Sequence, residues 1–233
     1  MMNEYCPFET MYVDDTDIKT VGAVLESYSV GGTEISNNTY QGRNRTNFNL
    51  LSKQFGRKQI TVTVFFHAYD RHMITFQQSQ LTAMLTGVVD LALPDGFHYR
   101  STLDEIGELS IIGVDGKGCI AECTYTLSGI QHDELVTVEG NTVFAQGTLW
   151  SMDCILTCTA SRAYSSIQVG TVTFTGVSAG DVLTADGING RLLQNGTPTT
   201  GNAAFTHLPY LVPGEQTITC PETLTVQYYP SYI

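Results

Sequence analysis

At 233 residues the chain has room for one large β domain or two of ordinary size, and a hydrophobic content of 42% is enough to build a core. Charged residues make up 15%, below the roughly 25% usual in soluble domains; with many Thr, Ser, Asn, Gln and Tyr, this suits a chain with much buried interface or a secreted β-protein. A net charge of -12 leaves no surplus of cations to displace counterions from phosphates, which excludes stable nucleic-acid binding but not an acidic wall past which DNA slides.

Met1-Met2-Asn3-Glu4-Tyr5-Cys6 has neither a basic start nor an apolar run, so no signal peptide is expected and the chain reads as cytosolic when made. No apolar stretch approaches the length of a membrane span. The six cysteines are then expected to be reduced thiols.

Residues 1–20 read as an extended acidic lead-in whose charge cluster is Asp14-Asp15-Thr16-Asp17. Clustered carboxylates can hold Ca²⁺. Neither the glycine nor the terminal Glu of a calcium loop follows, so a solvated turn is the preferred reading. Val21 to Val30 predicts a strand closed by a hairpin signal at Gly31-Gly32. Thr33 to Phe55 is polar and, against the global charge, basic: Arg43 and Arg45 flank Asn44, and Arg57-Lys58 lie just beyond. A long β-hairpin or loop reaching to another surface is one reading, and a solvated loop is the other.

The next stretch alternates. Ile60, Val62, Val64 and Phe66 fall on one side, with Gln59, Thr61, Thr63, Phe65 and His67 on the other, the period of a strand with one face in a core. From Asp70 to Gly87 the period changes. At about 100° per residue, Met73, Ile74, Leu81, Met84, Leu85 and Val88 share one apolar stripe, with Asp70 placed as N-cap and Gly87 as the C′ glycine. No other segment makes a convincing amphipathic helix. Phe76 falls roughly 160° from that stripe, beside Ala83 and near Gln80. An aromatic on the outer face calls for cover by a loop or by a neighbouring subunit, unless it is simply exposed.

Val89 to Leu93 runs into the stop Pro94-Asp95-Gly96, and strands follow around Phe97 to Thr102, Glu108 to Val114 and Cys119 to Ser128. Asp115-Gly116 predicts a two-residue hairpin turn. The polar run Gln131-His132-Asp133-Glu134 marks a domain boundary, dividing 1–133 from 134–233. From Leu135 onward no helix is predicted. Short strands recur about every 8 to 12 residues, the rhythm of a β-sandwich. Gly140-Asn141, Gly170, Gly180-Asp181, Asp186-Gly187, Asn195-Gly196 and Pro213-Gly214 divide them. The final pattern, Leu224 to Pro230, should be tied into a sheet.

Chemistry finds little purchase. Cys119 and Cys123 are four apart, as are Cys154 and Cys158, which on a strand puts each pair on one face but about 13 Å apart. Buried core thiols are therefore preferred over a metal site. His67, His72, His98, His132 and His207 form no recognisable ligand pair, and no nucleophile elbow, Walker loop or dinucleotide glycine pattern occurs. Asp104-Glu105 and Asp14-Asp15 would matter only if a cleft held such carboxylates at a working separation. No catalytic residue, metal or cofactor is predicted, and the chain is not read as an enzyme. Trp150 is expected in the core, whereas Tyr210, Tyr228, Tyr229 and Tyr232 are candidates for contact with a glycan or a partner.

The order of these elements resembles a known family. The strand Gln59 to Phe66, the helix Asp70 to Gly87, the strand-turn Leu91 to Gly96 and the strand near Cys119 to Leu127 are similar to the N-terminal domain of distal tail proteins of long-tailed, non-contractile phages. Gly180-Asp181-Val182-Leu183, Asn195-Gly196, the run Leu208 to Ile218 and Val226-Gln227-Tyr228-Tyr229-Pro230 look like that family's C-terminal sandwich. The resemblance implies a mainly β chain, with an N-terminal β-barrel or split-barrel domain carrying one α-helix and a galectin-like C-terminal β-sandwich. It implies a structural ring, expected to be hexameric, that joins the tail tube to the tail tip or baseplate and lets DNA pass. The partners it implies are further copies of the chain, the tail tube protein and a tail-tip protein, with a receptor-binding protein or host glycan beyond. The location would be the virion tail tip, after assembly in the host cytoplasm. Arg43, Arg45, Arg57, Lys58, Phe76 and Gln80 are then the candidate subunit-interface residues. A carbohydrate-binding β-sandwich module is the alternative class, and a tail-associated glycan hydrolase the third.

Overall fold

The computed structural model describes residues 10–41, 43, 46, 48–115, 118–199 and 201–233. The chain divides into two compact units, one up to His132 with Ile233, the other from Asp133 to Tyr232. Both are antiparallel β structures, and the chain is mainly β.

The first unit contains β1 (Tyr12–Val13), β2 (Thr16–Asp17), β3 (Ala23–Gln41), β4 (Phe48–Ala68), α1 (Arg71–Met84), β5 (Val88–Ala92), β6 (His98–Ile106), β7 (Ser110–Asp115) and β8 (Gly118–His132). Its sheet runs β2-β1-β5-β6-β8-β4-β3, with β7 also paired to β8. Strand β8 is the hub of the pairing: β4 takes one edge, while β6 and β7 share the other. The alternation read around Ile60 is realised in full. Ile60, Val62, Val64 and Phe66 have no accessible surface, and their partners across the ladder, Leu127, Tyr125, Cys123 and Ala121, are equally buried.

Helix α1 covers that face. Asp70 is extended, and its Oδ1 accepts the Met73 N–H at 2.8 Å, the geometry of an N-cap. Ile74, Leu81 and Leu85 reach the core, but Met73 and Val88 are exposed, so the apolar stripe is narrower than predicted. Half-buried Gln77 and Gln78 fill its middle: Gln77 Nε2 donates to the His67 carbonyl at 3.4 Å, and Gln78 Nε2 approaches Cys123 Sγ at 3.5 Å. Leu85, in a right-handed conformation, is the C-cap. Gly87, with φ of 103°, comes two residues later and so is not the C′ glycine.

One further expectation is corrected. Gly31-Gly32 is no turn: β3 runs through it, and the register merely shifts between Val30 and Thr33, a bulge. Of the two readings of Thr33 to Phe55, the hairpin is the one found: β3 and β4 pair from Thr33↔Lys58 to Gln41↔Phe48. Strand β8 continues to His132, so Gln131 and His132 belong to the sheet. Asp115 pairs with Gly118 at the end of the β7–β8 hairpin, and the predicted turn residue Gly116 lies outside the described residues. Asp14 and Asp15, with φ of 46° and 61°, make the two-residue turn from β1 to β2. Asp14 Oδ1 accepts the Asp90 N–H and Asp17 Oδ1 the Lys19 N–H, both at 2.8 Å, so these carboxylates serve backbone donors. Among the described residues no His, Cys, Asp and Glu group has metal-holding geometry, and no helix is long and apolar enough to cross a membrane.

The second unit runs through β9 (Val136–Glu139), β10 (Thr142–Ala145), β11 (Met152–Thr159), β12 (Tyr164–Val169), β13 (Val172–Val177), β14 (Val182–Asp186), β15 (Arg191–Gln194), β16 (Thr197–Pro198), β17 (Ala203–Phe205), β18 (Tyr210–Leu211), β19 (Gly214–Thr217), β20 (Thr225–Tyr228) and β21 (Ser231–Tyr232). One sheet is ordered β16-β15-β14-β11-β20-β9, with β18 also on β11. A second is β12-β13-β17, and β10 pairs with β19. Leu156, Cys158, Leu183 and Val226 of the first sheet share one core with Ile167, Val169, Val172 and Phe174 of the second. The closing pattern around Val226 is tied in: β20 lies between β11 and β9. Cys119, Cys123, Cys154 and Cys158 are buried free thiols. Trp150 departs from expectation, being 76% exposed. The Thr148 and Leu149 N–H groups donate to the Ser231 carbonyl, and Leu149 packs against the core in the indole's stead.

Candidate assembly surfaces

The most unusual feature of the first unit is a ribbon that leaves it. The last β4–β8 pair is Lys58 with Gly129; beyond it β4 pairs only with β3, from Thr33↔Lys58 to Gln41↔Phe48. Nine residues at about 3.3 Å each make an arm of roughly 30 Å. Ile35, Tyr40, Leu50 and Leu51 on it are exposed, although a lone two-stranded ribbon is marginal in water. The predicted basic residues are spread along it. Arg43 is exposed near the tip, Lys53 Nζ sits 4.6 Å from the centre of the Phe55 ring, and at the base Arg57 Nη1 donates to Thr102 Oγ1 at 3.0 Å beside half-buried Lys58. Arg45 lies outside the described residues.

A second surface is the outer face of α1. Phe76 is 50% exposed, so no loop of the described chain covers it, and Gln80 and Ala83 are exposed beside it. Met73, three residues before Phe76 on the helix, extends the stripe, and Tyr69, just before the N-cap, is exposed as well. The sequence pattern assigned Met73 to the core instead. The terminal tyrosines do not form one platform. Tyr210 is exposed with its ring 5.0 Å from that of His207; Tyr229 is half-buried; and the Tyr232 hydroxyl donates to Asp133. Tyr228 is a core residue whose hydroxyl accepts the Gln146 N–H at 3.0 Å, which removes it from glycan contact.

One titratable cluster escaped sequence reasoning. His98 and His132 are register partners on β6 and β8 and clasp Asp90: His98 Nδ1 lies 3.1 Å from Oδ2, and His132 Nε2 lies 3.4 Å from Oδ1. Burial alone would push the Asp90 carboxyl up, but hydrogen bonds and charge from His132 and then His98 outweigh it and hold the group below its ordinary value. The cluster ties β5, β6 and β8 together. The folded-state value is depressed, so the stabilisation is present above the unfolded value of about 3.9 and is lost as pH falls through the folded one. Asp90→Asn should therefore lower stability near neutrality and flatten the acid limb below about pH 5, checked by urea titrations across pH. An acid limb as steep as that of the wild type would count against this role.

No family model and no curated protein matches the sequence. Solved structures do match. The SPP1 Dit protein, described as a paradigm of the hub adsorption apparatus in phages infecting Gram-positive bacteria, superposes with a TM-score of 0.71 at 10% identity, over 97% of this chain and 99% of that one. The chain has the fold of a distal tail hub protein. A chain of the phage P2 baseplate in its activated, calcium-bound conformation matches with a TM-score of 0.53 at 9% identity, over 95% of this chain and 98% of that one. The strontium form gives 0.53 at 8% identity over 97% and 99%. The hub fold thus spans both units.

Proposed function

We propose that the protein is a structural distal tail protein of a phage. In this reading residues 1–133, a split-barrel domain, build a ring, expected to be hexameric, between the tail tube and the tail tip, wide enough for DNA to pass. Residues 134–233, a galectin-like sandwich, carry or contact baseplate and receptor-binding parts. The protein acts at the virion tail tip, after assembly in the host cytoplasm, and performs no catalysis. The observation that carries the reading is the match to the SPP1 hub protein over 97% of the chain. The arm from residue 33 to 58 and the bare Phe76 face support it, because a monomer has no use for either.

Light scattering on a sizing column, with negative-stain images of the peak, tests it: a ring of several subunits with a central hole is expected. Phe76→Glu should weaken association at least about tenfold, roughly 1.4 kcal/mol, without changing the thermal midpoint. A wild-type monomer that binds glycans would overturn the reading in favour of a carbohydrate-binding module, the class that exposed Trp150 favours.

A further inference from the structure

The arm and the body of the first unit carry opposite charge, and the sheet places the two charges at opposite ends of one strand. Residues 33–58 contain five of the chain's 11 Lys and Arg residues and one of its 23 Asp and Glu residues. Among the described residues no ion pair joins the arm to a carboxylate.

The opposite end of β4 is flanked by carboxylates. Glu122 faces Phe65 across the ladder, and Glu26 sits in the bulge between Leu25 and Ser27, which pair with Val64 and Thr63. Glu105 pairs with Thr126, itself the partner of Thr61. Glu108 follows Gly107, whose N–H donates to the Thr124 carbonyl. Glu26, Glu105 and Glu108 are exposed and Glu122 is half-buried; none pairs with a cation among the described residues. Desolvation, with the neighbouring Glu122 charge adding to it, pushes the Glu26 carboxyl up, as expected where like charges crowd without a counter-charge.

The strand also separates the two groups. Lys53 is twelve residues from Phe65 along β4, about 40 Å, and the arm points away from the acidic end. Arg57 and Lys58, at the arm's base, lie three to four residues along β4 from Thr61, but a copy cannot bring its outer cations, Arg43 and Lys53, to its own carboxylates. A neighbour can: basic at one end and acidic at the other is the pattern of a head-to-tail contact, the kind that closes into rings.

We propose that the basic arm of one copy docks on the acidic end of the sheet of the next copy, around Glu105, Glu108 and Glu122. This rests on the ring reading and supplies its contact.

The test uses full-length protein in light scattering at low and high salt, with two charge-reversed variants: Arg43→Glu/Lys53→Glu and Glu105→Lys/Glu108→Lys/Glu122→Lys. The expected result is a wild-type oligomer that dissociates at molar salt, where screening shortens to about 3 Å. Each variant alone should be at least about tenfold weaker in association with an unchanged thermal midpoint, and an equimolar mixture should reassemble because opposite charges again face each other. Variants that assemble as the wild type does, or a mixture no better than either alone, would overturn the docking and leave the ring standing. A wild type that is monomeric at every salt concentration would overturn both.

Discussion

Phe66→Ala should destabilise the first unit by about 3–5 kcal/mol, a large part of the 5–15 kcal/mol that holds an ordinary domain folded. Phe66 lies near the end of the buried face of β4 with no accessible surface, paired to Ala23 on one side and Ala121 on the other. Two alanine neighbours cannot swell to fill the space, so the loss combines lost transfer energy with a residual cavity. Phe65→Ala is the matched control. Its ring is half-buried on the other face of the same strand, and its removal should cost a fraction of that amount. Urea unfolding followed by hydrogen exchange of the β4 and β8 amides would measure both. Equal costs would mean that the buried face does not dominate this unit.

In the second unit, Gly187→Ala should be expensive for a reason that no contact in the native protein displays. A Cβ at Gly187 would lie 2.2 Å from the Pro209 carbonyl oxygen and 2.9 Å from that of Cys154. Both obstacles are backbone, and both are in use: the Pro209 oxygen accepts the Cys154 N–H, and the Cys154 oxygen accepts the Gly187 N–H. The β14–β15 turn must move, breaking the junction with β11 and β18, at a cost of about 1–3 kcal/mol or more. Gly129 makes the useful contrast. Its Cβ would meet Ser101 Oγ at 2.3 Å and Ile60 Cδ1 at 3.1 Å, both ends of side chains. Gly129→Ala should therefore recover in a Ser101→Ala background, whereas no side-chain deletion should rescue Gly187→Ala. Thermal midpoints of the four variants decide it, and a harmless Gly187→Ala would show that the turn has slack.

The elements most legible in the sequence were those made by near neighbours. The alternation from Ile60 to Phe66 states which face is buried, because successive strand side chains point opposite ways whatever lies beyond. Asp70 announces a helix start through a bond to a donor three residues on, and Asn195-Gly196 a tight turn through its positive φ values of 54° and 75°. The order of such elements carried the likeness to distal tail proteins, although the SPP1 and P2 structures named above share 10% identity or less with this chain.

What depended on partners distant in the chain was not legible. Gly31-Gly32 suits a turn or a bulge equally, and it bulges because β4 supplies a partner on both sides of it. His98 and His132 meet on Asp90 only because of the β6–β8 register. Trp150 faces solvent because Leu149 occupies the core beside it, and Tyr228 is buried because it lies with Val226 on the core-facing side of β20. Composition and local periodicity determined, unaided, that this is an acidic, mainly β chain with one capped helix and a basic stretch at odds with its net charge. Only the tertiary structure decided that this stretch is an arm held off the body and that the carboxylates crowd at the far end of its strand. Periodicity is a property of neighbours in sequence, whereas the place of a charge on a sheet is set by register between strands many residues apart.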